Sequence, residues 1–393
     1  MTIQILVHDP IYLDYHSTTP VDRRVADRIL HQMTIAFGNA SSTDHIYGDE
    51  ASKAIRQARR HVAQLVGAFP KDIIFTSGAT ESINLAIQGS IAPKIANPNK
   101  PRVAVCAAEH KAVLDTCNIL EKQGKIELLQ LPVNSQAQID LDRLQQACDR
   151  GLDLLCVMAA NNEVGTIYPV EQIGAIARQY RVSFLCDASQ AAGKIPIHCE
   201  DWGITYLAIS AHKLYGPQGV GALVANRRHP LQPILFGGGH QKRIRPGTLN
   251  VPGIVGLGEA CRLRQLEMAA DETAIASKRD RLQRLLQAQI PGLQVNGDRD
   301  SRLAGNLHIS IPEIPNSAII ARVRHRLAIS RGSACSSGVE APSHVLQGMN
   351  LSEEVIEGAL RIGIGKFTTE EEIDRAANIL VAAVDSTRNI IDE

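Results

Sequence analysis

The 393-residue chain has no excess charge of either sign: 41 Lys and Arg balance 41 Asp and Glu. Such a chain offers no broad cationic face, so neither direct nucleic-acid binding nor attachment to an anionic membrane is expected. It has no apolar run near the roughly 20 residues that a bilayer-spanning helix needs. The N-terminus, MTIQILVHDPIYLDY, has no basic stretch leading into a long apolar one, so export is not expected. The 8 cysteines (Cys106, Cys117, Cys148, Cys156, Cys186, Cys199, Cys261 and Cys335) include no Cys-x-x-Cys pair. That scatter argues against a structural zinc site or a disulfide framework. Free thiols in a reducing cytoplasm, with no bound metal, are the simplest reading.

Several catalytic signatures are missing too. No G-x-G-x-x-G follows a strand, no H-E-x-x-H exists, and no G-x-S-x-G elbow is present. Gly365-Lys366 resembles the end of a phosphate-binding P-loop, but Phe367 replaces the Ser or Thr and Leu360 stands where the first Gly belongs.

What is present is a chain long enough for two or three structural units, 44% hydrophobic and 21% charged. Short apolar runs at Asp72–Phe75, Arg102–Cys106, Asp153–Met158, Ser183–Cys186, Tyr206–Ile209 and Val220–Val224 read as buried strands. Helical patterns such as Glu81–Gln88 and Val170–Tyr180 lie between them. Alternation of this kind indicates an α/β fold with a mostly parallel, doubly wound sheet. After about residue 260 the character changes. Leu263–Ile290 is a long amphipathic helix stopped by Pro291-Gly292. A strand at Leu307–Ile311, a helix at Ile319–Leu327 and a helix from Thr369 to about Ile390 follow. We read residues 21–262 as a large domain. Residues 1–20 and 263–393 form a smaller α+β domain, onto which the N-terminal arm packs.

In an open α/β sheet the ligand sits at the carboxyl ends of the strands, and the polar residues here gather at those ends. The first strand runs into Thr76-Ser77-Gly78-Ala79-Thr80-Glu81, a Gly-containing turn whose amides suit a phosphate. An ordinary N-cap by Ser77 or Thr80 would read the same way. The next strand ends near Glu109-His110, another at Asp187 with Gln190 close behind, and another at Ser210-Ala211-His212-Lys213. Any one of these is unremarkable in a loop; four strand ends together point to one ligand. Pyridoxal phosphate would use all of them: a lysine to hold it covalently, an acid at its pyridine nitrogen and an anion site for its phosphate. The last feature is Arg331-Gly-Ser-Ala-Cys335-Ser-Ser-Gly338. Most cysteines are small buried hydrophobes. Cys335, among small residues that suit neither a packed strand nor a long helix, reads instead as a thiol on a mobile loop spanning about 330–342.

These segments resemble, nearly from end to end, the NifS/IscS-type cysteine desulfurases of the class V aminotransferase group, which are fold-type I pyridoxal-phosphate enzymes. The motifs are Tyr12–Pro20 (YLDYHSTTP), Phe75–Ala86, Ala108–His110, Asn161–Gly165, Asp187–Gly193, Ser210–Gly216, Gly237–His240, Arg245–Thr248, the Cys335 loop and Leu360-Arg361. The resemblance implies that Lys213 holds the cofactor and moves protons. It implies that Asp187 pairs with the pyridine nitrogen and Gln190 with the ring oxygen, while His110 stacks on the ring. The Ala79/Thr80 turn, Ser210 and His212 would bind the phosphate. Thr248 would reach the phosphate of a neighbouring subunit, which makes a homodimer the expectation. Asn162 and Arg361 would hold the substrate carboxylate.

On this resemblance L-cysteine becomes L-alanine, and its sulfur passes to Cys335 as a persulfide. From there it goes to an acceptor protein such as an iron–sulfur scaffold. The alternatives on the same cofactor are a selenocysteine lyase and a cystine or cysteine β-lyase, whose eliminations need no protein thiol. A catalytically idle relay protein is set against the intact Lys213, Asp187, His110 and Cys335. There are departures as well. His16 stands where a small or amide residue is often seen, and Pro246 stands where Ser is common. The IscS branch carries a longer C-terminal tail for its scaffold partner, so the end at Glu393 leans toward a NifS-like or generalist member.

Overall fold

The computed structural model describes residues 10–95, 99–331 and 342–391. Cys335 and most of its loop lie outside the described residues. In chain order the strands are β1 (Ile11–Tyr12), β2 (Ile73–Thr76), β3 (Arg102–Cys106), β4 (Glu127–Leu131), β5 (Leu154–Cys156) and β6 (Ser183–Asp187). They continue with β7 (Tyr206–Ser210), β8 (Gly221–Ala225), β9 (Gln294–Val295), β10 (Asn306–Ser310), β11 (Leu327–Ala328) and β12 (Ala359–Gly363). The helices are α1 (Arg23–Thr34), α2 (Ile46–Leu65), α3 (Ala79–Ile91), α4 (Lys111–Lys122), α5 (Leu141–Asp149) and α6 (Val170–Gln179). After them come α7 (Val251–Gln289), α8 (Asn316–Val323), α9 (His344–Gly348), α10 (Glu353–Glu357) and α11 (Glu370–Ile391).

The main sheet has the order β2-β8-β7-β6-β5-β3-β4. Pairing is parallel throughout except at β8, which runs against both neighbours. Helices cover both faces, which is why β3 and β7 are buried along nearly their whole length and read as unbroken apolar runs. The strand at β4 was not anticipated. It is an edge strand, and its residues ELLQL are mostly exposed, so no continuous apolar run marks it. Because the other strands run together, the carboxyl ends of β2, β3, β5, β6 and β7 all open on one edge.

A second core joins Ile11 and Leu13 to Ile275, Leu282, Leu286, Leu307, Ile309, Leu360 and Leu380. It lies against the antiparallel sheet β12-β10-β9. The N-terminal arm enters it by parallel pairing of β1 with β11. The helix expected over Ile319–Leu327 stops at Val323, since Leu327 is spent on that pairing.

The long helix differs more. It begins at Val251, not Leu263, and runs 39 residues. Its glycines look like breakers in sequence. In the structure they admit neighbours: a Cβ on Gly258 would lie 2.5 Å from Ala58 of α2, and one on Gly256 would lie 2.7 Å from Ile29 of α1. Among the described residues no helix is long and apolar enough to cross a membrane.

Arg264 of α7 fastens the sheet to this helix. It is 1% exposed, donates through Nε to the Gly193 carbonyl at 2.7 Å, and pairs with Asp271 and, at 2.7 Å, with Glu272. Gly193 closes the segment that carries Asp187 and Gln190. Removing one member of a buried ionic group leaves the others unpaired. Arg264→Ala should therefore lower unfolding free energy by about 3–5 kcal/mol, read as a fall in the denaturation midpoint.

Candidate active site

The polar strand ends converge on a cavity of about 490 Å³. Ala79, Thr80, His110, Asn162 and Asp187 line it, and so do Gln190, Ser210, His212, Lys213 and Arg361. Thr248 does not: it is exposed in the segment before α7. The arrangement follows from the sheet. Asp187 ends β6, Ser210 ends β7, and Gly78 precedes the first turn of α3.

Lys213 sits on a tight turn after β7, and its Nζ donates at 2.6 Å to the main-chain carbonyls of His16 and Ser17. Burial first, and then the charges of Lys194 and Arg361, bring the amine down to about 7, although Asp14 and Asp187 oppose them. The N-terminal arm locks this turn from the other side: Thr19 bonds the His212 carbonyl at 2.9 Å and receives the Tyr215 amide at 2.8 Å. His212 is held near 4 by burial and by the neighbouring Lys213 and Lys194 charges, so its ring is neutral at pH 7.

His110 caps α4. Its Nδ1 accepts from the Ala112 amide at 3.1 Å, so Nε2 carries the proton of the neutral ring. Burial is the main force keeping it low, against the pull of Asp187. Oδ1 of Asp187 takes both the amide of Ser189 at 2.9 Å and its hydroxyl at 2.5 Å. Arg361 lies in buried β12; it reaches the Asn162 carbonyl at 3.0 Å and Asp14 at 3.1 Å. The first turn of α3 has no side-chain cap, since its N-cap is Gly78. Arg245 clamps the turn from outside through Glu81 at 2.7 Å.

Sequence reasoning missed the amine's two carbonyl partners, His16 and Ser17, and missed Ser189. The polar run His16–Thr19, set between an apolar strand and the Asp22 helix cap, was the available signal for the first two.

The comparisons agree on one family. The Aminotransferase class-V family description matches residues 11–376. The chain is 44% identical over 383 residues to a protein called cysteine desulfurase IscS from Anaeromyxobacter sp. (strain Fw109-5), covering 97% of this chain and 94% of the relative. Among solved structures it is similar to a NifS-like protein, with TM-score 0.89, 32% identity and coverage of 96% and 99% of the two chains. It is also similar to a structure described as SspA in complex with cysteine, with TM-score 0.80, 32% identity and coverage of 91% and 99%. The chain belongs to the class-V aminotransferases, pyridoxal-phosphate enzymes of fold-type I.

The residues fit that cofactor. Among the described residues, Oδ1 of Asn162 is buried without a partner, the first turn of α3 has no side-chain cap, and Lys213 donates to neutral carbonyls. Attack on an aldehyde needs the free amine. Uptake of pyridoxal phosphate by the cofactor-stripped protein should therefore speed up by about tenfold per pH unit below 7 and level off above it. A rate still climbing at pH 9 would contradict the assignment.

Proposed function

We infer that the protein is a cysteine desulfurase: L-cysteine and the Cys335 thiol give L-alanine and a Cys335 persulfide. The observation that carries this reading is a desolvated Lys213 amine in one cavity with Asp187 and Arg361, with Ser330, five residues before Cys335 in sequence, hydrogen-bonded to Arg361. Arg361 exchanges main-chain hydrogen bonds with Ser330 at 2.7 and 3.1 Å. Cys335 follows Ser330 by five residues, a chain that spans at most about 18 Å. On the far side of the segment, Ser343 donates to Glu163 at 2.5 Å and His344 lies 2.9 Å from the Glu109 carbonyl.

When bound, pyridoxal phosphate supplies a ring that withdraws electrons from the substrate's Cα. The chain supplies the rest. The Ala79 and Thr80 amides, Ser210 and His212 would hold the phosphate; Asp187 would hold a proton at the ring nitrogen; His110 would cover the ring; and Gln190 would offer its second amide proton to the ring oxygen. Arg361 and Asn162 take the substrate carboxylate, for which a guanidinium fork suits the geometry. Lys213 Nζ, released as a free amine when the substrate's amino group takes its place, would remove the Cα proton and return it. The Cys335 sulfur attacks the substrate sulfur; the C–S bond breaks as the S–S bond forms, and a proton completes alanine. The persulfide sulfur then goes to an acceptor protein, with an iron–sulfur scaffold as the favoured class.

A homodimer completes the site, with Thr248 reaching the neighbour's phosphate. Its surface is marked by Leu30, Met33, Ile35, Phe37, Ile46 and Tyr47, each 49–66% exposed, with Phe37 stacked on Tyr47 at 5.6 Å. The described cysteines are free and buried, as suits a cytoplasmic enzyme. We assign residues 21–262 to a cofactor domain and residues 1–20 and 263–393 to a smaller one.

With L-cysteine and a thiol reductant, the wild type should release equal sulfide and alanine, and Cys335→Ala should lose at least about a hundredfold of that rate. Pyruvate and ammonia, or activity surviving the substitution, would move the assignment to a β-lyase. Phe37→Glu should shift sedimentation from dimer toward monomer at micromolar concentration; an unchanged dimer would place the interface elsewhere.

A further inference from the structure

The side chain of His16 has no part in the chemistry above. It lines the cavity but is only 2% exposed. Gln190 grips this residue at two points. The Gln190 Nε2 donates to the His16 carbonyl at 2.8 Å, which sets Gln190 Oε1 against His16 Nδ1 at 3.2 Å. Lys194 Nζ donates to the same Oε1 at 3.1 Å, so that atom is the amide's acceptor end. Nδ1 must then carry the imidazole proton, and Nε2 keeps a lone pair. Nε2 is buried and has no hydrogen-bond partner among the described residues.

Burial, and then the charges of Lys194, Arg361 and Lys213, hold the ring neutral at pH 7. The ring also packs on the strand that carries Arg361: a Cβ on Gly363 would lie 2.9 Å from His16 Cδ2. A buried acceptor with no donor is unfavourable, and a donor brought by the substrate relieves it. An amino acid whose carboxylate meets Arg361 brings two kinds of donor, an amine and, in cysteine, a thiol.

We propose that Nε2 of His16 is a specificity-determining hydrogen-bond acceptor for the substrate, taking the S–H or the amino N–H of L-cysteine. This rests on the desulfurase reading. The test uses the holoenzyme in a Cys335→Ala background, where turnover stops, and follows ligand binding by the cofactor's absorbance. A Gln side chain places an amide oxygen near the Nε2 position, an Asn side chain only near Nδ1, and Phe removes both nitrogens.

His16→Gln should keep the parent affinity for L-cysteine, while His16→Asn and His16→Phe should weaken it roughly three- to tenfold. If the donor is the thiol, L-alanine binding stays unchanged in all three; if it is the amine, L-alanine weakens in parallel. Nitrogen NMR of the histidine-labelled parent should show His16 with its proton on Nδ1. Unchanged L-cysteine affinity in His16→Asn and His16→Phe, or a proton on Nε2, overturns the proposal. A parent that binds no L-cysteine fails the desulfurase reading itself, a different and recognisable result.

Discussion

A lysine amine taken out of water with its hydrogen bonds given to neutral carbonyls is the constraint around which this molecule is arranged. Lys213 ends on two carbonyl oxygens at 2.6 Å, and neither carries charge. Such a site penalises the ammonium and favours the free base, which is what covalent capture of an aldehyde requires. The cost is met by a fold that leaves the amine nowhere else to go. Both carbonyls come from the N-terminal arm, and that arm is pinned to the second core by pairing with β11 and by the contact of Gly363 with the Leu13 carbonyl at 2.7 Å. Lys213 hangs from the main sheet, and its clamp belongs by packing to the smaller core.

The same neighbourhood carries a surplus of positive charge. Lys194, Lys213 and Arg361 lie close to Asp187 and Asp14, and the charges of Lys194 and Arg361 make Lys213 harder to protonate. On the proposed reading, a phosphate at one end and a substrate carboxylate at the other would relieve that imbalance of charge. The site thus favours ligands with two separated anionic groups before any detail of the chemistry is considered.

Much of this was legible in the residues. The buried parallel strands announce themselves because both faces are covered, and their polar ends fell where an α/β sheet places its ligand. Ten of the residues singled out line one cavity. The misses have particular causes. β4 is an exposed edge strand with no apolar run. The first turns of α7 hide behind glycines that serve close helix packing rather than termination. His16 and Ser17 act on Lys213 through main-chain oxygens, so the polar run His16–Thr19 marks their place without naming their role. Thr248 is exposed and lies outside the cavity, in the segment before α7.

The 39 residues of α7 contribute Leu257 and Leu263 to the main core and Ile275, Leu282 and Leu286 to the second. An α-helix turns about 100° and advances about 1.5 Å with every residue. Inserting a single residue midway would swing one core around the shaft relative to the other and carry the arm's two carbonyls away from Lys213. This helix therefore tolerates substitution far better than any change in length. Insertions and deletions in the lineage should have been channelled into the surface turns, leaving the spacing between Val251 and Gln289 as a fixed ruler.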